Sequence, residues 1–369
     1  MRIGIDLRVL DDPFGSGVAR YTTLMLAELK KILTARGHTL IGYRSGHRRK
    51  AEKILENEHV VQLPNTILNL CSVMFGLPTS AQCFPKADLI WQPNPLFLGQ
   101  VRIPLFVTIH DLSFVRQPET FPLHTRLWYL RNVKNFLRRA DPGTYLMAVS
   151  EHTKDDILDL FPQWKGRVFV VPPPLLSSFL NEGAPVKTNK QKYFLYVGAV
   201  EVRKNVVSLM NGFIKFRQSH PDYQLYVVGR QGFLSVNNMI DKDYLLKNGV
   251  VLAGYVDETE RRRLLVNASG LIYPSFYEGF GYPPLEALEV HVPVIAGADT
   301  ALTKTLGDAA LWINPYRIGD ELPGALAALV DSPEYRQHMI EKGLKQLAGI
   351  QKDFSLLPLV ELWERFASV

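Results

Sequence analysis

Two glutamates stand in the stretch Tyr277-Glu278-Gly279-Phe280-Gly281-Tyr282-Pro283-Pro284-Leu285-Glu286, which comes after an apolar run and leads into a helix opened by proline. Proline is tolerated in a first helical turn because its missing amide hydrogen has no intrahelical bond to lose. Glycines just ahead of a helix let the backbone approach a ligand closely, and the helix start offers unpaired amides and the positive end of a dipole. Gly279, Phe280 and Gly281 are therefore a candidate cradle for a diphosphate. Glu278 precedes the cradle and Glu286 lies about one turn inside the helix. At roughly 1.5 Å of rise per residue, one turn is comparable to the distance from a diphosphate to the ribose hydroxyls. One carboxylate is thus placed to hold a ribose and the other to meet a transferred group. Taken alone, the pair also fits a helix cap with a solvated helix residue beyond it.

Other residues with chemical capacity stand after apolar runs in the same way. Arg203 and Lys204 come after a strand and a tight turn, where two cations can neutralise a departing diphosphate; they fit ordinary surface charges at a helix entry as well. His110 and Asp111 end a wholly apolar run, the first as a candidate catalytic group and the second as a candidate donor-binding group. Gly15 and Gly17 precede the first long helical pattern and leave a further set of amides for an anion. The third glycine of a dinucleotide fingerprint is absent, because Arg20 occupies its position, which argues against a nicotinamide cofactor. Asp241 and Asp243, one residue apart, offer either a divalent-metal site or a helix cap. With Arg203, Lys204 and helix amides supplying positive charge, the expectation is no metal and no cofactor.

Elements of two periodicities must position these residues. In the first half, β-branched apolar runs at 2–9, 39–43, 59–63, 88–92, 105–110, 145–149 and 167–171 alternate with amphipathic helical patterns at 18–33 and 123–139, the pattern of a parallel sheet wrapped by helices. Three prolines, Pro172 to Pro174, interrupt it. The rhythm restarts with strands expected at 193–197, 224–228, 250–252, 271–274 and 292–296, and helices at 206–218, 258–267, 284–290 and 319–330. This predicts an α/β chain with a first domain over 1–176, a linker over 177–190, a second domain over 191–352 and a C-terminal helix over 353–369 returning to the first domain. In open α/β sheets ligands bind beyond the carboxyl ends of the strands, where the residues above lie.

Composition narrows the classes. With 47% hydrophobic and 21% charged residues over 369 positions, the chain can bury two cores of ordinary size. No basic, apolar and cleavage-site succession opens it, and its apolar runs fall far short of the roughly 20 residues that span a bilayer. Two cysteines, neither beside a histidine cluster, give no disulfide framework or zinc spacing. A cytoplasmic protein is expected. The net charge of +6 suits phosphate-bearing substrates or anionic lipid; nucleic acid is not expected as a partner, since no zinc finger or aromatic RNA-binding strand accompanies the charge. Within 123–139, Leu123, Leu127, Leu130, Val133 and Leu137 recur at helical spacing while Arg131, Lys134 and Arg138 line another side, with Arg48, Arg49 and Lys50 as a further basic cluster. Either the leucines enter the core or the helix rests on an anionic membrane.

The stretch from Glu278 to Glu286 resembles the Glu, seven residues, Glu signature of the retaining glycosyltransferases with the GT-B fold, family four or group 1, and segment by segment the chain is most similar to bacterial surface-polysaccharide mannosyltransferases. Phe14 to Tyr21 resembles the family's glycine loop, Thr108-Ile109-His110-Asp111-Leu112 its strand-end His-Asp, Ala148 to Lys154 its serine-capped helix, and Val197 to Asn205 its phosphate-binding loop. These segments occur in family order and bracket about three quarters of the chain. The resemblance implies two Rossmann-like domains facing a central cleft, with donor on the second and acceptor over the first. It also implies transfer with retention, a sugar-positioning role for Glu278 and His110, ribose binding by Glu286, and a glycan or lipid-linked acceptor at the inner membrane face. GDP-mannose is the first choice of donor. Many relatives carry an arginine directly after the strand-end glycine, where this chain has Ala199, so Arg203 is a candidate for that duty. An epimerase on the same plan, or a silent nucleotide- or membrane-binding scaffold, remains a rival reading.

Overall fold

The computed structural model describes residues 1–11, 17–45, 53–95, 101–175, 191–230, 241–298 and 300–367. The chain divides into two compact units. The first comprises Met1–Leu112, Asn132–Pro174 and Phe354–Val369, and the second Ser113–Arg131 and Leu175–Asp353. The segment Ser113–Arg131, expected within the first domain, thus clusters with the second. The expected linker, 177–190, lies outside the described residues.

The first unit is built on parallel strands β1 (Arg2–Asp6), β2 (Thr39–Ser45), β3 (Glu58–Val61), β4 (Leu89–Gln92), β5 (Leu105–Ile109), β6 (Thr144–Ala148) and β7 (Val168–Val170), in the order β3-β2-β1-β4-β5-β6-β7. Helices cover both faces of such a sheet, which is why β4 and β5 are buried along their whole length and read as unbroken apolar runs. The expected strand at 2–9 stops at Asp6. There the chain turns into a short 3-10 segment, Arg8–Asp11, because the Arg8 guanidinium folds back onto the Asp6 carboxylate in a buried pair at 2.6 Å. The C-terminal helix Leu357–Ala367 belongs to this unit: Trp363 packs its ring against Trp91 and Phe106, and Glu364 receives hydrogen bonds from Arg36 and His38.

The second unit repeats the plan with β8 (Lys192–Val197), β9 (Tyr223–Val228), β10 (Val250–Gly254), β11 (Gly270–Tyr273), β12 (Val294–Gly297) and β13 (Ala310–Ile313), ordered β10-β9-β8-β11-β12-β13 and parallel throughout. Its order reverses between β8 and β11, which pair directly through Gly270 with Phe194 and Leu271 with Leu195. At such a switch point the loops leaving two neighbouring strands diverge and open a crevice at their carboxyl ends. Strand β13 and the helices Asn65–Phe75, Ala301–Leu306 and Pro333–Asp353 were not expected from sequence.

Candidate functional site

The loops leaving β8 and β11 carry the second unit's candidate residues, and the β8–β11 pairing is what brings them together. After β8 the chain makes a 3-10 turn at Val202–Lys204, ended by Asn205 in a left-handed conformation at φ 57°, before helix Val206–Arg217. Left-handed geometry is tolerated better by asparagine than by most side chains, and here the Asn205 amide is anchored by donating to the Pro315 carbonyl at 2.6 Å. After β11 the chain runs through Pro274 to Gly281 and enters helix Tyr282–Glu289. The two loops are tied by Phe276 N–H donating to the Arg203 carbonyl at 3.0 Å and by Arg203 donating to the Tyr277 carbonyl at 3.3 Å.

At their junction sits a buried cluster of charges. Glu278 is only 6% exposed. Its carboxylate accepts a hydrogen bond from the Lys204 ammonium and lies 3.8 Å from the Arg203 guanidinium. Lys204 also donates to the Tyr273 hydroxyl at 3.1 Å and stands over its ring, and Tyr273 stacks on Tyr196. Burial pushes the Lys204 pKa below the ordinary lysine value and the charge of Arg203 adds to that, while Glu278 opposes both. Burial together with the Glu278 charge drives the two tyrosine hydroxyls well above their ordinary value, so both stay protonated. Arg203 also pairs with Glu201 at 3.4 Å, so two cations face two carboxylates beside the glycine-rich loop, and the two cations are placed to meet a diphosphate there.

Two features refine the expected cradle. Gly281 adopts φ 88°, and a Cβ there would lie 2.3 Å from Leu302 Cδ2, so this position requires glycine. The helix start supplies fewer amides than expected: among its first four residues Pro283 and Pro284 have no N–H, leaving Tyr282 and Leu285. The side chains of Arg203 and Lys204 therefore carry more of the positive charge than the helix does.

Glu286 lies on the helix as expected, 3% exposed. Its Oε2 accepts from Arg261 Nη1 at 2.5 Å, a partner that spacing alone does not reveal. Asp241 caps helix Lys242–Lys247, accepting from the amides of Asp243 at 3.1 Å and Tyr244 at 3.0 Å, and among the described residues no group of three or more His, Cys, Asp and Glu is arranged to hold a metal.

In the first unit, His110 comes directly after β5. Its Nε2 donates to the Pro93 carbonyl at 2.7 Å and its ring meets Tyr21 edge-on at 4.8 Å. Because a carbonyl can only accept, Nε2 carries the proton; burial lowers the ring's pKa, with the Pro93 bond and Asp111 opposing. The imidazole is thus neutral at neutral pH and has Nδ1 as its acceptor. Asp111 is half-buried beside it. Gly17 begins helix Gly17–Ala35, with open space where a Cβ would stand, and Gly15 lies outside the described residues. Ser150 caps helix Glu151–Leu160 by accepting from Thr153 N–H at 3.1 Å. Sequence reasoning missed Tyr273, Tyr196 and Arg261. The first two had a usable signal, since Tyr273 ends a strand beside the cluster.

Comparison with known proteins bears on the family and the fold. Residues 180–346 match the family model described as "Glycosyl transferases group 1". The chain is 27% identical over 270 residues to O-antigen chain mannosyltransferase B of Escherichia coli, covering 70% of each protein. It is 31% identical over 212 residues to O-antigen chain mannosyltransferase RfbU of Salmonella typhimurium, covering 57% of this chain and 56% of the relative. Among solved structures, sucrose-phosphate synthase from Thermosynechococcus elongatus superposes with a TM-score of 0.71 at 18% identity over the full length of both chains, a likeness of fold. The fold is GT-B.

Proposed function

From the match of residues 180–346 to the group 1 glycosyltransferases we propose that this chain transfers mannose from GDP-mannose, with retention of configuration, to a glycan or lipid-linked acceptor of a surface polysaccharide. The observation that carries the reading is the buried cluster of Glu278 with Lys204 and Arg203 at the β8–β11 switch point. The names of the mannosyltransferase relatives support the choice of sugar.

In the proposed reaction the bond between the anomeric carbon and the β-phosphate oxygen breaks as a bond to the acceptor hydroxyl oxygen forms on the same face of the sugar. The acceptor's proton passes to the departing phosphate oxygen, and GDP leaves. Negative charge grows on the diphosphate along this path, so the fixed cations Arg203 and Lys204, with the amides of Gly279, Phe280 and Gly281, stabilise the transition state more than the ground state. No divalent cation is required. Glu278 positions the sugar and steadies the positive charge at its anomeric carbon, Glu286 binds the ribose, and His110 accepts a sugar hydroxyl at Nδ1. Asp111, Gly15 and Gly17 are assigned to donor binding in the same reading.

Peripheral contact with an anionic membrane is part of the same reading. Neither simple expectation for helix Leu123–Arg139 holds along its whole length: Val133 and Leu137 are buried, whereas Leu123 is 68%, Leu127 56% and Trp128 40% exposed. The helix carries five Lys or Arg and no Asp or Glu, so its exposed apolar end and its charge both suit a bilayer with anionic headgroups. No helix among the described residues is long and apolar enough to cross a membrane; the contact is superficial.

A transfer assay with a panel of nucleotide sugars in excess chelator tests the proposal, with the anomeric configuration of the product read by NMR. Transfer of mannose from GDP-mannose with retained α-configuration is expected. Transfer only after manganese is restored, inversion, or turnover of a different donor overturns the corresponding part.

A further inference from the structure

Arg261 connects two carboxylates of different character. It lies on helix Glu258–Asn267, where its guanidinium grips Glu258, one turn earlier, in a two-point fork: Nε to Oε2 at 2.9 Å and Nη2 to Oε1 at 2.6 Å. The Glu258 side chain is largely exposed, whereas the third contact, Nη1 to Glu286 Oε2, reaches into the protein to a carboxylate that is almost wholly buried. A guanidinium is planar and its donors are rigidly disposed. Once Glu258 fixes that plane, the direction of Nη1 is fixed, and with it the position of Glu286 Oε2. Burial works to lower the Arg261 pKa, but the charges and hydrogen bonds of Glu286 and Glu258 outweigh it and hold it raised, so the cation is permanent.

An ion pair at this depth is a poor means of joining two helices, because apolar residues of similar volume commonly do so as well or better. What it supplies that apolar packing cannot is a carboxylate with one oxygen held in place. We infer that Arg261 is a positioning residue for nucleotide recognition, aligning Glu286 to receive the ribose hydroxyls, with Glu258 as its outer brace. The inference rests on the ribose-binding role proposed above for Glu286.

A ribose-specific probe separates this role from a structural one. Calorimetric titration compares the nucleoside diphosphate selected by the donor assay, GDP in our reading, with its 2′,3′-dideoxy counterpart, on the wild type, Glu286→Gln, Arg261→Met and Arg261→Lys. Wild type should prefer the ribose form by about tenfold or more, the scale of a charge-assisted hydrogen bond. Arg261→Met should lose most of that preference while binding the dideoxy form within about twofold of wild type, which also shows that the variant is folded; should it fail to fold, Arg261→Lys carries the test with a partial loss. Equal weakening toward both nucleotides, or an undiminished ribose preference in both Arg261 variants, overturns the positioning role. If wild type and Glu286→Gln both ignore the ribose hydroxyls, the role of Glu286 fails and the inference with it. If only the Arg261 variants behave as wild type, Glu286 keeps its role and Arg261 loses its own.

Discussion

Replacing Glu278 with glutamine removes one charge from a buried cluster and leaves its shape nearly intact. At an effective dielectric of ~20, unit charges about 4 Å apart interact by roughly 4 kcal/mol, the range of the 3.8 Å separation from Arg203. That gross figure is reduced because Arg203 also pairs with Glu201 at 3.4 Å. Removing one partner of a buried pair commonly costs about 3 to 5 kcal/mol. The lower end, ~3 kcal/mol at neutral pH, is expected here, since the amide oxygen can still accept from Lys204.

The cost should depend on pH through Lys204. Burial, then Arg203, already lowers its pKa, and only Glu278 and Glu201 push it up; without the Glu278 charge it falls further. Between the depressed native value and the ordinary lysine value, the unfolded chain binds more protons than the folded one, so this residue's contribution to stability rises with pH across that window. In Glu278→Gln the window opens at lower pH, and the deficit relative to wild type should narrow as pH is raised from about 7 toward 10. Hydrogen exchange of the slowest β8 and β11 amides at several pH values reads this opening free energy. Turnover should fall by on the order of 10², the scale for losing one group that stabilises developing charge. Affinity for free GDP should hold or rise, because a cluster of two cations and two carboxylates loses one carboxylate charge. A deficit that is flat or widens with pH, or a loss of GDP affinity, refutes this account of the cluster.

Gly229→Ala should abolish GDP binding or soluble expression: Gly229 adopts φ 147°, and a Cβ there would lie 1.8 Å from the Gly198 carbonyl oxygen, so the loop carrying Arg203 and Lys204 must move. Wild-type affinity measured by calorimetry would show that this loop does not set the site. Leu123→Gln combined with Leu127→Gln should reduce co-sedimentation with anionic vesicles, and wild-type binding should weaken with salt; equal, negligible sedimentation of the wild type with neutral and anionic vesicles at low salt leaves a soluble acceptor.

The sequence was most informative where chemistry tracks local pattern. A buried parallel strand reads as an apolar run, and the residues immediately after it lie at the carboxyl edge of the sheet; that is why Arg203, Lys204, Glu278 and His110 could be picked out without coordinates. Periodicity is silent on which neighbours a face will have. Leu123, Leu127, Val133 and Leu137 share one pattern, yet the first two are exposed and the last two buried, because packing partners cover only part of the helix. Helix Asn65–Phe75 was not expected, although Gly76 at φ 66° closes it with a left-handed cap. Arg261 was invisible for another reason. Its partner Glu286 is 25 residues away, on a helix whose packing no spacing rule specifies.

The two glutamates also differ in the kind of cation each has been given. Glu286 meets a guanidinium, which stays charged under all relevant conditions and holds a fixed plane, so the carboxylate is static. Glu278 meets an ammonium that burial has already moved toward its neutral form, within reach of a second cation and a tyrosine hydroxyl. Recognition of a ribose asks for an invariant acceptor, and Arg261 supplies the conditions for one. Departure of a diphosphate asks for positive charge that can shift from a carboxylate toward a growing anion, and a lysine ammonium on a flexible stem can reorient with little change in the surrounding packing. Exchanging the two cations in kind, Lys204→Arg and Arg261→Lys, should therefore harm different quantities, read as kcat in the transfer assay and as the ratio of ribose to dideoxy affinity by calorimetry. The first impairs turnover because a bulky fork cannot move with the departing charge. The second impairs ribose discrimination because a point charge cannot hold a plane.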